Sequence, residues 1–153
     1  MLSIGGSDSG SGAGIQADLK TLSMLGVYGC TAITAITAQN TRQVTEVFAG
    51  PREVVRAQVE AIMSDYSIAA VKVGMVYSLD IIDTIGNILS KTKIPIVLDP
   101  ILAAGTGYGL LQKKALRPLI KTLIPLCTLV TPNRREAEKL SGIKLQNDSD
   151  AIM

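Results

Sequence analysis

The sequence predicts an α/β fold: a doubly wound, mostly parallel sheet flanked by helices. Three observations predict it. Apolar runs of strand length alternate with segments of helical period along all 153 residues. Hydrophobic residues are 47% and charged residues only 18%, the balance expected when a sheet is covered on both faces. Glycine, polar or acidic residues follow directly on each apolar run, and ligands of open parallel sheets bind outside the carboxyl ends of the strands.

The first strand is expected near residues 2–5, running into the glycine-rich stretch from Gly5 to Gly14. A helix follows near 14–25, stopped by Gly26, and a second strand near 30–38 ends at Gln39-Asn40-Thr41. Helical period returns near 52–65, and a strand near 69–73 leads into Gly74-Met75. The next pair is a helix near 78–91 and a strand near 95–99, ending at Asp99-Pro100 with Gly105-Thr106-Gly107 beyond. A helix near 110–123, a strand near 127–131 and a helix near 133–141, stopped by Gly142, complete the series.

One domain is expected over residues 1–153. Asn147, Asp148 and Ser149 resemble a helix N-cap with only a few residues after them before Met153, whereas an isolated helix needs roughly 12–15 residues to be stable. The sequence therefore reads as a portion of a longer protein, its domain incomplete at the C-terminus.

Composition excludes several classes. The net charge is +2, and basic residues are scattered apart from Lys113/Lys114 and Arg134/Arg135, so neither nucleic acid nor an anionic membrane is an expected partner. Apolar stretches fall far short of the roughly 20 residues of a membrane span, and no basic start precedes an apolar run, so a soluble chain without signal peptide is expected. Cys30 and Cys127 read as buried free thiols of a reducing cytoplasm, in apolar runs, ahead of a disulfide or a nucleophile. The chain has no histidine, which removes Ser-His-Asp and Cys-His catalysis and histidine-based zinc sites.

The residues at the expected strand ends are the candidates for chemistry. The first loop is too small to pack a core and can bring backbone N–H groups near a ligand, although a plain strand-to-helix turn reads equally well. It matches neither GxGxxG in register, because Ile15 stands where the last glycine belongs, nor a P-loop. Asp18 shares a helix face with Ile15, Leu22 and Leu25, so its carboxylate either reaches a ligand or is exposed in the first turn. Gln39 can donate and accept at once, which suits a heteroaromatic ring carrying an amine beside a ring nitrogen, or it marks a turn. Met75 is a core residue or the wall for a flat ring. Asp99, Asn133 and Glu136 offer oxygens that could hold Mg²⁺ through water, while Asn133 and Glu136 equally spell a capping box.

In order and spacing, Gly5-Gly6-Ser7-Asp8, Gly14 through Thr21, Ala38-Gln39-Asn40-Thr41, Lys72-Val73-Gly74-Met75, Val97-Leu98-Asp99-Pro100 and Thr131-Pro132-Asn133 with Glu136 resemble the hydroxymethylpyrimidine/phosphomethylpyrimidine kinases of thiamin biosynthesis. The resemblance implies a ribokinase-like fold and ATP- and Mg²⁺-dependent phosphorylation of 4-amino-5-hydroxymethyl-2-methylpyrimidine and then of its monophosphate. By match of motif, Gly6, Asp18, Gln39, Met75 and Ile101 would contact the pyrimidine. Asp99 and Asn133 would face the nucleotide, and Asn133 with Glu136 the metal. A lysine frequent in the family after the fourth strand is missing from Ala104-Gly105-Thr106-Gly107. The resemblance also places the anion hole, the catalytic base or cysteine and most of the nucleotide pocket in a second half, beyond Met153. This chain alone is therefore expected to be inactive, to carry no catalytic residue and to self-associate, with a dimer as the implied state, or else to be poorly stable unless its exposed surfaces are covered. A pyridoxal-type kinase and a non-catalytic pyrimidine-binding module are the alternatives.

Overall fold

The computed structural model describes residues 1–145. The expected cap at Asn147 to Ser149 lies outside the described residues, and so does Met153, past which the catalytic groups are expected. Six strands form one sheet in the order β3-β2-β1-β4-β5-β6. They are β1 (Leu2–Asp8), β2 (Cys30–Gln39), β3 (Val44–Ala49), β4 (Val71–Val73), β5 (Ile96–Leu98) and β6 (Leu129–Val130). All neighbours pair in parallel except β2 and β3, so the expected mostly parallel sheet is what forms.

Alternation along β1 separates two layers. Leu2 and Ile4 are fully buried with Val71, Val73, Ile96 and Leu98 in one apolar core, which α2 (Arg52–Asp65) and α3 (Leu79–Leu89) cover through Val55, Val59, Ile81, Ile82 and Ile85. Ser3, between Leu2 and Ile4, points the other way and donates to Asp18 of α1 (Gly14–Met24), so α1 lies on the opposite face. Glycines end two helices in the left-handed region: Gly142 caps α5 (Arg134–Ser141) at φ 73°, and Gly26 follows α1 at φ 69°.

Strand β1 continues to Asp8, into the stretch expected as loop, and the structure departs from the expected elements in two further places. Strand β3 is not among them. It runs antiparallel along β2, and its exposed face presents Phe48 opposite Ile36. The helix expected near 110–123 instead begins at Lys113. It is 3₁₀ at Lys113–Ala115, α at Leu116–Pro118 (α4), π at Leu119–Leu123 and 3₁₀ again at Ile124–Leu126. Pro118 has no N–H to donate, and the pitch changes beside it.

Residues 99–112 form an excursion over the strand ends. It is closed by an antiparallel bridge between Ala103 and Gly109 and turned at Gly107, where φ is 89°. Among the described residues no helix is long and apolar enough to cross a membrane.

Candidate functional site

The carboxyl ends of β1, β2, β4, β5 and β6 converge on a cavity of about 310 Å³. Its lining includes Gly6, Gln39, Met75, Asp99, Ile101, Asn133 and Glu136, contributed by five segments far apart in sequence. Met75 is buried and packs over Gly6 so closely that a Cβ there would stand 2.7 Å from its Sδ. Its backbone is fixed from below, where the buried Thr34 hydroxyl donates to the Met75 carbonyl at 2.6 Å. The result is an apolar wall with Ile101 and Leu110 beside it.

The glycine-rich loop lines the cavity through Ala13 and Gly14, but its free-looking amides are already engaged. The N–H groups of Gly10, Gly12 and Ala13 donate to the Asp8 carboxylate at 2.8, 3.0 and 2.9 Å. Gln16 locks the base of the loop, accepting from the Asp8 N–H at 2.9 Å and donating to Ser7 Oγ at 2.6 Å. Gly14 is irreplaceable on steric grounds: φ is +59° and a Cβ would collide with the Gly6 carbonyl oxygen. Asp8 is absent from the sequence-derived candidates. An Asp followed two residues later by Gly in a loop is an Asx-turn signal that could have found it.

Gln39 stands at the tip of β2, and its backbone is tied to the loop. The Ser9 hydroxyl donates to the Gln39 carbonyl at 2.8 Å and accepts from its N–H at 2.9 Å. The Thr37 hydroxyl, also at the cavity, lies 3.0 Å from the Ser7 carbonyl and 3.3 Å from Gln39 Oε1.

The structure does not bring Asp18 to this lining. Its carboxylate is held beneath the sheet ends by the Lys72 ammonium at 2.9 and 3.1 Å and by the Ser3 hydroxyl at 2.6 Å. Lys72, absent from the sequence-derived candidates, captures the charge expected to face a ligand. The apolar face assigned to Asp18 is also narrower than expected, since Ile15 and Leu22 are buried but Leu25 is 71% exposed.

On the acidic side, Asp99 is half-buried, and desolvation raises its carboxyl above the ordinary range while Lys72 opposes the shift. Asn133 and Glu136 form a complete capping box at the start of α5: Asn133 Oδ1 accepts from the Glu136 N–H at 3.0 Å and Glu136 Oε2 from the Asn133 N–H at 2.9 Å. Glu136 Oε1 also accepts from the Leu102 N–H at 3.4 Å. The capping reading of this pair is the one observed, and both residues also line the cavity. Among the described residues no group of three or more His, Cys, Asp or Glu could hold a metal by itself. The donors present are hard oxygens, the type that suits Mg²⁺ bound largely through water and substrate phosphate.

Residues 8–153 match the family described as phosphomethylpyrimidine kinase. The chain belongs to this family. A hydroxymethylpyrimidine/phosphomethylpyrimidine kinase of Haemophilus influenzae is 46% identical over 149 residues, covering 97% of this chain and 55% of the relative. A crystal structure of the phosphomethylpyrimidine kinase of Clostridium difficile 630 superimposes with a TM-score of 0.91 at 48% identity, covering 98% of this chain and 65% of that one. The pyridoxal kinase of Staphylococcus aureus, solved with AMP-PCP and pyridoxal, is 36% identical with a TM-score of 0.82, covering 99% of this chain and 54% of that one. The ribokinase-like sheet is therefore common to phosphomethylpyrimidine and pyridoxal kinases. The chain spans about half the length of the curated phosphomethylpyrimidine kinases it matches.

Proposed function

We propose that this chain is the substrate-binding part of an ATP-dependent kinase acting on 4-amino-5-hydroxymethyl-2-methylpyrimidine and its monophosphate. The observation that carries the reading is the convergence of Gly6, Gln39, Met75 and Ile101 with Asp99, Asn133 and Glu136 on one cavity. The pyrimidine ring lies against Met75 over the bare backbone of Gly6, and Ile101 closes the far edge. Gln39 reads the amine and the adjacent ring nitrogen, because its amide offers a donor and an acceptor side by side. Asp18 acts from beneath through Lys72 rather than by contact.

The second side of the cavity suits a phosphate donor. Asp99 and Asn133 face the nucleotide phosphates, and Asn133 with Glu136 would hold Mg²⁺ through water. Bound there, the ion would offset charge on the transferred phosphoryl group. Phosphoryl transfer also needs donors and a base placed around the reacting atoms. We assign these to the part of the family's length that lies past Met153 and that this chain does not span, so the chain alone turns over no ATP. Exposed Phe48, Leu129 and Tyr28 support self-association, as a dimer in the simplest case. The protein works in the cytoplasm.

Isothermal calorimetry with the pyrimidine alcohol tests the binding reading, with Gln39→Ala as the control and pyridoxal as the competing ligand. Binding of the alcohol that weakens in Gln39→Ala is expected. Preference for pyridoxal would favour the second reading, which the similarity to a pyridoxal kinase supports.

A further inference from the structure

We infer that Asp8 is a positioning residue: its buried carboxylate holds residues 9–13 in the one form that both walls the cavity and aims Gln39. This rests on the pyrimidine-binding reading. Asp8 is only 5% exposed, yet it ends a strand in a loop of Ser and Gly that has no apolar side chain to anchor it. Three backbone N–H groups converge on its two oxygens within 3.0 Å. Bonds to an ionised acceptor are the strong kind, and here they replace the packing that a glycine-rich segment lacks.

The geometry gives the anchor two outlets. Through Gly12 and Ala13 it sets the wall of the cavity, because Ala13 and Gly14 line it and α1 starts there. Through Gly10 it sets Ser9, whose hydroxyl both donates to and accepts from the Gln39 backbone. Asp8 also lines the cavity, but its two oxygens are engaged by these N–H groups, and the carboxylate thereby fixes the backbone that carries the Gln39 amide. Freed from Asp8, the loop has many conformations of similar energy, and the ligand must select one of them.

The test compares Asp8→Asn and Ser9→Ala with the unaltered full chain. Amide hydrogen exchange, which needs no ligand, is expected to quicken at Gly10, Gly12 and Ala13 in Asp8→Asn, because the amide keeps only one acceptor oxygen. Unchanged exchange there overturns the anchor. In calorimetry with the pyrimidine alcohol, Asp8→Asn is expected to weaken binding by about tenfold, with a smaller loss in Ser9→Ala, whose exposed site leaves folding intact. Equal affinity of Asp8→Asn and the unaltered chain, despite a loosened loop, overturns the positioning role. A merely structural anchor would shift the unfolding midpoint and leave the affinity of the folded fraction unchanged. If the unaltered chain fails to bind the alcohol, the pyrimidine reading falls, and the exchange data still decide the anchor.

Discussion

Lys72 Nζ lies 2.9 and 3.1 Å from the two carboxylate oxygens of Asp18, on a strand whose other residues, Val71 and Val73, are almost fully buried. A charge at the centre of such a sheet persists because it is paired. Its side chain is 17% exposed and that of Asp18 22%, so part of the field reaches solvent. Lys72→Met is expected to destabilise the fold by about 1–3 kcal/mol, less than a fully buried pair would lose. The double variant Asp18→Asn/Lys72→Met should recover part of that loss in urea unfolding. Strictly additive effects would show that the two charges do not depend on each other.

Asp99 couples stability to pH. Burial raises its carboxyl, so the folded chain holds this proton more tightly than the unfolded chain does. Stability from this group is therefore present at low pH and is lost as pH rises through the raised value. Asp99→Asn is expected to raise the melting midpoint at pH 7, and the gain should vanish below about pH 4, where an ordinary aspartate is protonated. Identical midpoints at pH 7 would contradict the burial argument.

Gly14→Ala is expected to cost at least about 1–3 kcal/mol, because a left-handed φ of +59° coincides with a clash against the Gly6 carbonyl oxygen. Guanidinium unfolding reads the loss directly. A change below half a kilocalorie would mean that the loop relaxes freely.

The thiols should be inert in the folded chain. Burial pushes Cys127 up to about 11, Cys30 is buried, and both are free. Iodoacetamide at pH 7.5 is expected to leave both unmodified in intact mass spectra until denaturant is added. Rapid labelling of Cys127 without denaturant would count against its enclosure.

The sequence revealed the parallel core because Leu2, Ile4, Val71, Val73, Ile96 and Leu98 lie in short apolar runs that nothing but a covered sheet accommodates. It revealed most of the cavity because Gly6, Gln39 and Asp99 stand at the ends of apolar runs, where a bare, amide or acidic residue has little to pack against. Strand β3 escaped because its buried residue is Val44 while Glu46 and Phe48 are exposed, so no clean alternation marks it. The true setting of Asp18 escaped for another reason. Its partner Lys72 is 54 residues away, and helical periodicity reports a face without reporting what waits across it. Of the Asp8 anchor only the Asx-turn contact to Gly10 was legible, because the other two donors are backbone N–H groups, which leave no trace in composition.

The central place of β1 has a consequence for synthesis. Leu2 pairs with Cys30 on one side and with Val71 on the other, so β1 gains its second neighbour only about 40 residues after its first. At ribosomal rates of about 5–20 residues per second, the nascent β1 waits for several seconds before β4 has even been polymerised. The β2–β3 hairpin closes locally in about 1–10 μs and so is ready long before. It gives β1 a partner on one edge while the other still lies open to chaperones or to another nascent chain.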